Sequence, residues 1–140
     1  MKENPLAWIL QNQIRNEKND LLEFSSHKFL IEPWLDMTPV QGVIKCSQIG
    51  WSTLAILKTM WLSKYKKMNV IYTLPTSDGV IDFVSSKVNP MISANPSISE
   101  WIHEKDTIQQ KKIDNAFIFY RGTHSGKAQG DKMDSARGVM

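Results

Sequence analysis

The 140-residue sequence has a single cysteine, Cys46, which excludes an internal disulfide and is typical of a reducing compartment. Its three histidines, His27, His103 and His124, have no ligand spacing with one another or with Cys46, which argues against a zinc site. No apolar run approaches the roughly 18 residues that cross a bilayer, and the apolar patch at residues 6–10 is too short for a signal peptide core. We therefore expect a soluble intracellular protein with no membrane partner.

The sequence also lacks a strong charge of either sign. Its formal net charge is +3, with 4 Lys/Arg against 6 Asp/Glu in residues 1–40 and 13 against 8 in residues 41–140. The mild basic bias of the second segment is compatible with a phosphate-rich partner and equally with an ordinary solvated surface. With 41% hydrophobic residues, the chain can bury one core, as a single domain or as part of a larger one.

Helical periodicity appears in several segments. Pro5 is well placed to start a helix, and an apolar stripe at 3.6-residue spacing predicts another helix after Gly50. Thr76 or Ser77 can cap a helix that reaches about residue 88, and a short helix is predicted at residues 97–104. The helices therefore alternate with the segments that read as strands.

Three short β-branched or aromatic runs predict strands, at residues 42–46, 69–74 and 115–122. The first is expected to be buried, and Pro75 is expected to end the second. Strands separated by helices indicate an α/β fold with crossover connections. The polar, glycine-rich stretch from residue 123 to the end predicts a loop.

The stretch IKCSQIGWST, at residues 44–53, keeps the spacing of a phosphate-binding loop, G-x-x-x-x-G-K-[ST], with two identities changed. Ser52 and Gly50 occupy the hydroxyl and second-glycine positions, whereas Trp51 and Lys45 stand where the lysine and the first glycine belong. A predicted strand precedes the loop and an amphipathic helix follows it, so backbone N–H groups and a helix N-terminus can bind an anion. Lys45 has a stem long enough to bring its ammonium group to the phosphates from the start of the loop.

Two interpretations of this loop stay open on the residues alone. In the first, Lys45 is the catalytic residue, Ser52 holds Mg²⁺ through its hydroxyl, and the nucleotide is bound by Cys46, Ser47, Gln48, Ile49, Gly50, Trp51, Ser52 and Thr53. Trp51 would then pack in the first helical turn. In the second, the loop is a glycine turn before a helix, with Ser52 as its N-cap.

Three further polar or aromatic positions each have two interpretations. Trp34 can pack near a bound base or belong to the core. Gln41 can read a base through its amide or be a polar residue at the edge of a strand. Thr76 and Ser77 follow a predicted strand, where they can face a ligand or cap the next helix.

The sequence VIKCSQIGWSTLA resembles the variant Walker A motif of phage terminase large subunits, in which the basic residue lies at the beginning of the loop. The matching residues are Lys45, Gln48, Gly50, Trp51 and Ser52. The upstream block FLIEPWLDM and the downstream block VIYTLPTSDGVIDFVSSKVNPMISANPSI are similar to blocks of the lambda-like branch of that family. The downstream block matches at Pro75, Thr76, Pro90, Met91, Ile92 and Pro96.

This resemblance implies an α/β fold with a P-loop NTPase-type parallel sheet and flanking helices, truncated before the Walker B strand. Residues 1–27 would form an N-terminal helical lead-in, and residues 28–140 a partial P-loop ATPase domain without the family's nuclease domain. The Walker B acid and the catalytic glutamate would follow Met140. We therefore predict that this chain alone does not hydrolyse ATP at a useful rate.

The resemblance also implies a function. The intact protein would be an ATPase and nuclease that uses ATP and Mg²⁺ to drive double-stranded DNA into proheads in the host cytoplasm. Its implied partners are the small terminase subunit, the portal protein and further copies of itself in a ring. The alternatives are a fragment of a superfamily-2-type helicase or translocase, and a non-catalytic nucleic-acid-binding domain in which the loop is only a turn.

Overall fold

The computed structural model describes residues 4–124, and for residues 103–105 the backbone alone. Its helices are α1 (Pro5–Gln11), α2 (Ile31–Leu35), α3 (Trp51–Tyr65), α4 (Ser77–Phe83), α5 (Asn89–Ala94) and α6 (Pro96–Ser99). Its strands are β1 (Val70–Thr76), β2 (Ile102–Asp106), β3 (Gln110–Ile113) and β4 (Ala116–His124). A 3₁₀ turn at Lys28–Leu30 leads into α2, and a π-helical segment at Val84–Val88 joins α4 to α5.

The four strands form one mixed sheet in the order β1-β4-β3-β2. The pair β1·β4 is parallel, whereas β4·β3 and β3·β2 are antiparallel. The predicted α/β class is confirmed, but the part of the chain described here does not form the parallel sheet that was expected. The reason is local: Asp114, with a φ of 52°, and Asn115 turn the chain directly from β3 into β4, and a two-residue turn can only join antiparallel strands.

The predicted strand at residues 42–46 is wrong. Residues 36–50 contain neither helix nor strand, and Ile44 is fully exposed at 104% of its reference area. A β-branched run becomes a strand only when a neighbouring strand pairs with its backbone, and β1 pairs with β4 alone. The burial that was predicted for residues 42–46 is therefore absent from the described part of the chain.

The other predicted elements agree more closely. Asn4 caps α1 by accepting the N–H groups of Leu6 and Ala7, and Thr76 caps α4 by accepting that of Gly79 at 2.9 Å. The strand β1 runs through Pro75 rather than ending before it, which an edge strand tolerates because a missing N–H on the open side costs no ladder bond. The short helix predicted at residues 97–104 is only α6, since the chain enters β2 at once.

The loop predicted from residue 123 onward is tested only at its first two residues. Thr123 and His124 belong to β4 rather than to a loop. The remainder of that predicted loop lies outside the described residues. Within residues 4–124, no helix is long and apolar enough to cross a membrane.

One hydrophobic core joins the helices to one face of the sheet. Leu57, Met60 and Trp61 of α3 are buried in the same cluster as Ile118 and Tyr120 of β4. The N-terminal helix contributes to this core as well, because Trp8 of α1 stacks on Trp34 and on Trp101, with ring centroids 6.5 and 5.5 Å apart. The lead-in segment therefore packs on the same body as the rest of the chain.

The helical stretch at residues 77–94 is the element that positions part of the site. Val80, Val84 and Val88 are buried along it. The wider π-helical turn ends two residues before Pro90, whose missing N–H a regular helix would tolerate poorly. Just past its end, the buried Asn95 side chain accepts the N–H of Arg15 at 2.7 Å and donates to the carbonyl of Arg15 at 2.8 Å. This pair of bonds fixes the N-terminal segment beside the helix.

Candidate functional site

The N-terminus of α3 has no side-chain cap. Its N-cap residue is Gly50, in the left-handed conformation with a φ of 85°, and no side chain accepts the N–H groups of the first turn. The alternative that Ser52 is the N-cap is therefore wrong, because Ser52 already lies inside the helix. Since those N–H groups have no acceptor within the helix, the positive end of a 15-residue helix stays open to an anion.

The loop before α3 is curled by two left-handed residues. Gln48 has a φ of 57° and Gly50 one of 85°, and a Cβ on Gly50 would lie 3.3 Å from Cδ1 of Leu30. Glycine is thus favoured at position 50 because the backbone is left-handed there and because a Cβ would be crowded by Leu30. Lys45 is exposed, and its ammonium donates to the carbonyl of the next residue, Cys46, at 3.3 Å.

A cleft of about 490 Å³ opens in front of this helix end. The predicted site residues that line it are Lys45, Gln48, Ile49, Gly50, Trp51, Ser52 and Thr53. Cys46 and Ser47 were predicted with them but do not line the cleft, and both are exposed. Trp51 packs against the core from the first turn, as predicted.

Four residues that the sequence did not indicate complete the cleft. They are Asn16, Glu17, Lys18 and Lys87. The Thr53 hydroxyl donates to the Glu17 carboxylate at 3.1 Å, which joins the N-terminal segment to α3. The lining therefore carries three lysines against one glutamate, an excess of positive charge that suits an anionic ligand.

A second cavity, of about 330 Å³, adjoins the first. Its walls are mainly apolar, with Leu22, Phe24, Leu30, Trp34 and Leu57 among them. Asn16, Gly50 and Thr53 line both cavities, so one end of the cleft continues into an apolar pocket. A charged cleft that adjoins an apolar pocket matches the two ends of a nucleotide, which has charged phosphates at one end and a flat base at the other.

The open alternatives for Trp34, Gln41 and Thr76 are resolved to different degrees. Trp34 is fully buried in the core, which confirms that interpretation, and because it also lines the apolar cavity its packing near a bound base stays a prediction. The Gln41 amide donates to the carbonyls of Asp36 and Thr38, and Gln41 lines neither of these cavities. Thr76 is a helix cap, as its bond to Gly79 shows.

The start of the loop is held by α3. The Lys58 ammonium donates to the carbonyl of Pro33 at 2.9 Å and to that of Asp36, and burial lowers the pKa of Lys58 although Asp36 opposes this shift. The Asp36 carboxylate accepts the hydroxyl and the N–H of Thr38, and these two bonds lower the pKa of Asp36, with a smaller contribution from Lys58. The segment from α2 to Thr38 is therefore anchored, whereas residues 39–47 are all exposed.

Among the described side chains, those of residues 4–102 and 106–124, no group of three or more His, Cys, Asp or Glu is arranged to hold a metal ion. One carboxylate, that of Glu17, lines the cleft, and the other side-chain oxygens there are the amide or hydroxyl oxygens of Asn16, Gln48, Ser52 and Thr53. A divalent cation at this site would accordingly depend on oxygens supplied by a ligand, as Mg²⁺ does when it is bound with phosphates.

Comparison with known families identifies the chain. The family described as "Phage terminase large subunit gpA, ATPase domain" matches residues 38–137, well over half of the sequence. The chain therefore belongs to the phage terminase large subunit family, through its ATPase domain. Comparisons with curated proteins and with solved structures gave no match.

Proposed function

We propose that the cleft in front of α3 binds the phosphates of Mg-ATP through a variant Walker A loop. The observation that carries this proposal is the convergence of Lys45, the uncapped first turn of α3 and an excess of lysine on one cleft of about 490 Å³. Uncapped N–H groups and ammonium groups are the donors that phosphate oxygens require. Membership in a terminase ATPase family supports the assignment of the nucleotide.

Each loop residue has a distinct role in this proposal. Lys45 swings from the carbonyl of Cys46 to the phosphates and neutralises the charge that develops there. The backbone of residues 48–51 surrounds the phosphate oxygens, and Ser52 places its hydroxyl on Mg²⁺. A metal ion held there would supply positive charge that offsets the negative charge of the phosphates.

The base of the nucleotide occupies the adjoining apolar cavity. Phe24 and Trp34 supply aromatic surface there, and His27 supplies a polar ring at the wall. The indole Nε1 of Trp34 is buried and has no hydrogen-bond partner among the described side chains, so in this proposal Trp34 contributes its ring surface to the base. The residues shared by the two cavities place the base and the phosphates of a single ligand next to each other.

In the intact protein this site drives a DNA-packaging motor. ATP hydrolysis moves double-stranded DNA into proheads in the host cytoplasm, with the small terminase subunit and the portal protein as partners and a ring of copies as the working form. A separate nuclease domain cuts the DNA. The family match supports this assignment over the superfamily-2-type helicase and over the non-catalytic nucleic-acid-binding domain.

Nucleotide binding tests the proposal directly. Titration calorimetry of the 140-residue chain with ATPγS and Mg²⁺ is expected to show binding that weakens at least tenfold in Lys45→Ala, because a charge-assisted contact to phosphate is lost. Lys66→Ala is the matched control, since Lys66 follows the other end of α3, roughly 24 Å from Gly50 at the rise of an α-helix. Equal affinities of native chain and Lys45→Ala would remove Lys45 from this role.

Turnover is a separate question. The chain alone is proposed to be inactive in hydrolysis, because the carboxylates that order Mg²⁺ and the attacking water are expected after Met140. Phosphate release from ATP by the purified chain should match that of Lys45→Ala. A robust rate in the native chain that Lys45→Ala abolishes would contradict this part of the proposal.

A further inference from the structure

Lys87 lines the cleft but lies outside the phosphate-binding loop at residues 44–53. It lies in the π-helical segment Val84–Val88, more than forty positions along the chain from Lys45, and both residues line the same cleft. The Lys87 side chain is half-buried. No described side chain (residues 4–102 and 106–124) and no backbone carbonyl of residues 4–124 forms an ion pair or a hydrogen bond with its ammonium group.

Other lysines of this body have structural partners. Lys58 donates to backbone carbonyls of α2, Lys64 pairs with Asp114 at 2.9 Å, and Lys111 pairs with Asp106. Their charges are compensated by the fold itself. A half-buried lysine without such compensation has lost part of its hydration without gaining a partner, which is unfavourable unless a ligand supplies the negative charge.

The helix around Lys87 fixes its position. Val84 and Val88 are both fully buried on either side of it in sequence, so the π-helical turn has little freedom to rotate. Asn95, directly after the same helical stretch, holds Arg15 by two hydrogen bonds, and Arg15 precedes the cleft residues 16–18. One helix therefore places both Lys87 and the N-terminal wall of the cleft.

We infer that Lys87 is a second phosphate-binding lysine of this site, acting together with Lys45 on the triphosphate of a nucleotide. The inference rests on the proposed nucleotide site. Lys45 is on an exposed loop, whereas Lys87 is on a packed helix. Lys87 thus provides a fixed charge in the cleft, and Lys45 closes onto the ligand from the loop.

The test compares a ligand with phosphates and one without. Affinities for ATPγS with Mg²⁺ and for adenosine are measured by calorimetry on the native chain, Lys87→Gln, Lys87→Arg and the control Lys66→Gln. Lys87→Gln is expected to bind ATPγS about tenfold more weakly and adenosine unchanged, because one charge-assisted contact to phosphate is lost. Lys87→Arg is expected to keep most of the affinity, and Lys66→Gln all of it.

The outcomes separate this inference from the proposed function. If Lys45→Ala weakens ATPγS binding and Lys87→Gln does not, the role of Lys87 is wrong and the site stands. If the native chain binds no ATPγS, both are wrong. Equal losses of ATPγS and adenosine affinity in Lys87→Gln, with a lowered melting temperature, would indicate a purely structural residue and would also overturn the inference. Lys87→Met keeps the apolar stem of the lysine and is expected to fold. The same comparison of ATPγS with adenosine is therefore repeated in Lys87→Met.

Discussion

The loop at residues 39–50 and the body at residues 51–124 meet at Gly50 and are held in place in very different ways. In the loop, Val40 and Ile44 are exposed and no strand pairs with the backbone. In the body, α3 and the sheet share one core in which Ile56, Leu57 and Ile118 are fully buried. The loop contains the residues that suggest the chemistry, and the body contains the contacts that stabilise the fold.

The same β-branched residue types form a strand in the body but not in the loop. A β-branched run such as residues 42–46 has strand propensity in both regions, but propensity becomes a strand only where a partner supplies backbone bonds. In β4 that partner exists on both sides, and alternate residues are buried from Ala116 to Tyr120. The comparison therefore predicts that equal substitutions have unequal costs in the two regions.

The largest expected effect is Gly122→Val in the body. A Cβ at Gly122 would lie 2.5 Å from the backbone nitrogen of Ser77 and 2.6 Å from the carbonyl carbon of Thr76, and backbone atoms cannot move aside as a flexible side chain can. We expect a loss of about 3 kcal/mol or more in the free energy of unfolding, measured by urea titration. The same change at Gly42, where nothing lies within 4 Å of a Cβ, serves as the control and should cost little. Similar midpoints for the two variants would contradict the comparison.

Gly50→Ala examines the junction between the two regions. Alanine must adopt a φ of 85° there, with its Cβ 3.3 Å from Leu30, and the left-handed conformation costs an L-residue about 1–2 kcal/mol. We expect that loss in urea unfolding, together with weaker ATPγS binding, because the loop must change its conformation to relieve the strain at the residue that begins α3. Gly42→Ala should change neither quantity measurably. Full stability in Gly50→Ala would mean that the loop adjusts its conformation freely.

Much of this fold follows from the sequence, because local signals and tertiary packing agree. The start of α1 at Pro5, the stripe of α3 and the cap of α4 by Thr76 are all local patterns that the structure keeps. The strands β2 and β3 were missed, since a charged segment with few apolar residues gives no alternation. The pair Asp114 and Asn115 was the available signal for the hairpin.

The candidate site is predictable only in part for a similar reason. The loop residues from Lys45 to Thr53 share a sequence pattern, so they could be named in advance. Glu17 and Lys87 enter the cleft because Asn95 fixes the N-terminal segment beside one helix, and that is a contact across 80 positions. No local pattern contains such information.

The body also contains a pH-sensitive group. Tyr120 is fully buried, and its hydroxyl has no partner among the described side chains or the backbone they belong to. Burial, with a contribution from Tyr72, raises the pKa of Tyr120 well above its ordinary value. The pKa of a tyrosine in an unfolded chain is about 10. Because the folded pKa is higher, the stabilising contribution is complete below that pH and is lost as the pH rises towards the folded pKa.

Tyr120→Phe should remove this dependence. We expect stability at neutral pH that is unchanged or higher by up to about 1 kcal/mol, since an unpaired buried hydroxyl is removed. At about pH 10.5 the advantage of the variant should grow, as measured by urea unfolding at both pH values. Tyr72→Phe, at a half-buried position whose pKa is also raised by burial, should show a smaller change. An equal loss of stability with pH in native chain and Tyr120→Phe would show that Tyr120 is not the group responsible.

The smallest expected effect is Ile44→Ala, and it is the most direct test of the loop. Ile44 is fully exposed, so removing its side chain should change the free energy of unfolding by no more than about 0.5 kcal/mol. Ile118→Ala, the same change at a buried position of β4, should cost about 2–5 kcal/mol. If Ile44→Ala instead costs more than about 1.5 kcal/mol, the run at residues 42–46 is packed as a strand in solution, and the exposure of the loop is wrong. If it costs nothing, the apolar character of Ile44 is not explained by the stability of residues 4–124, and its reason must be sought in an interaction outside them.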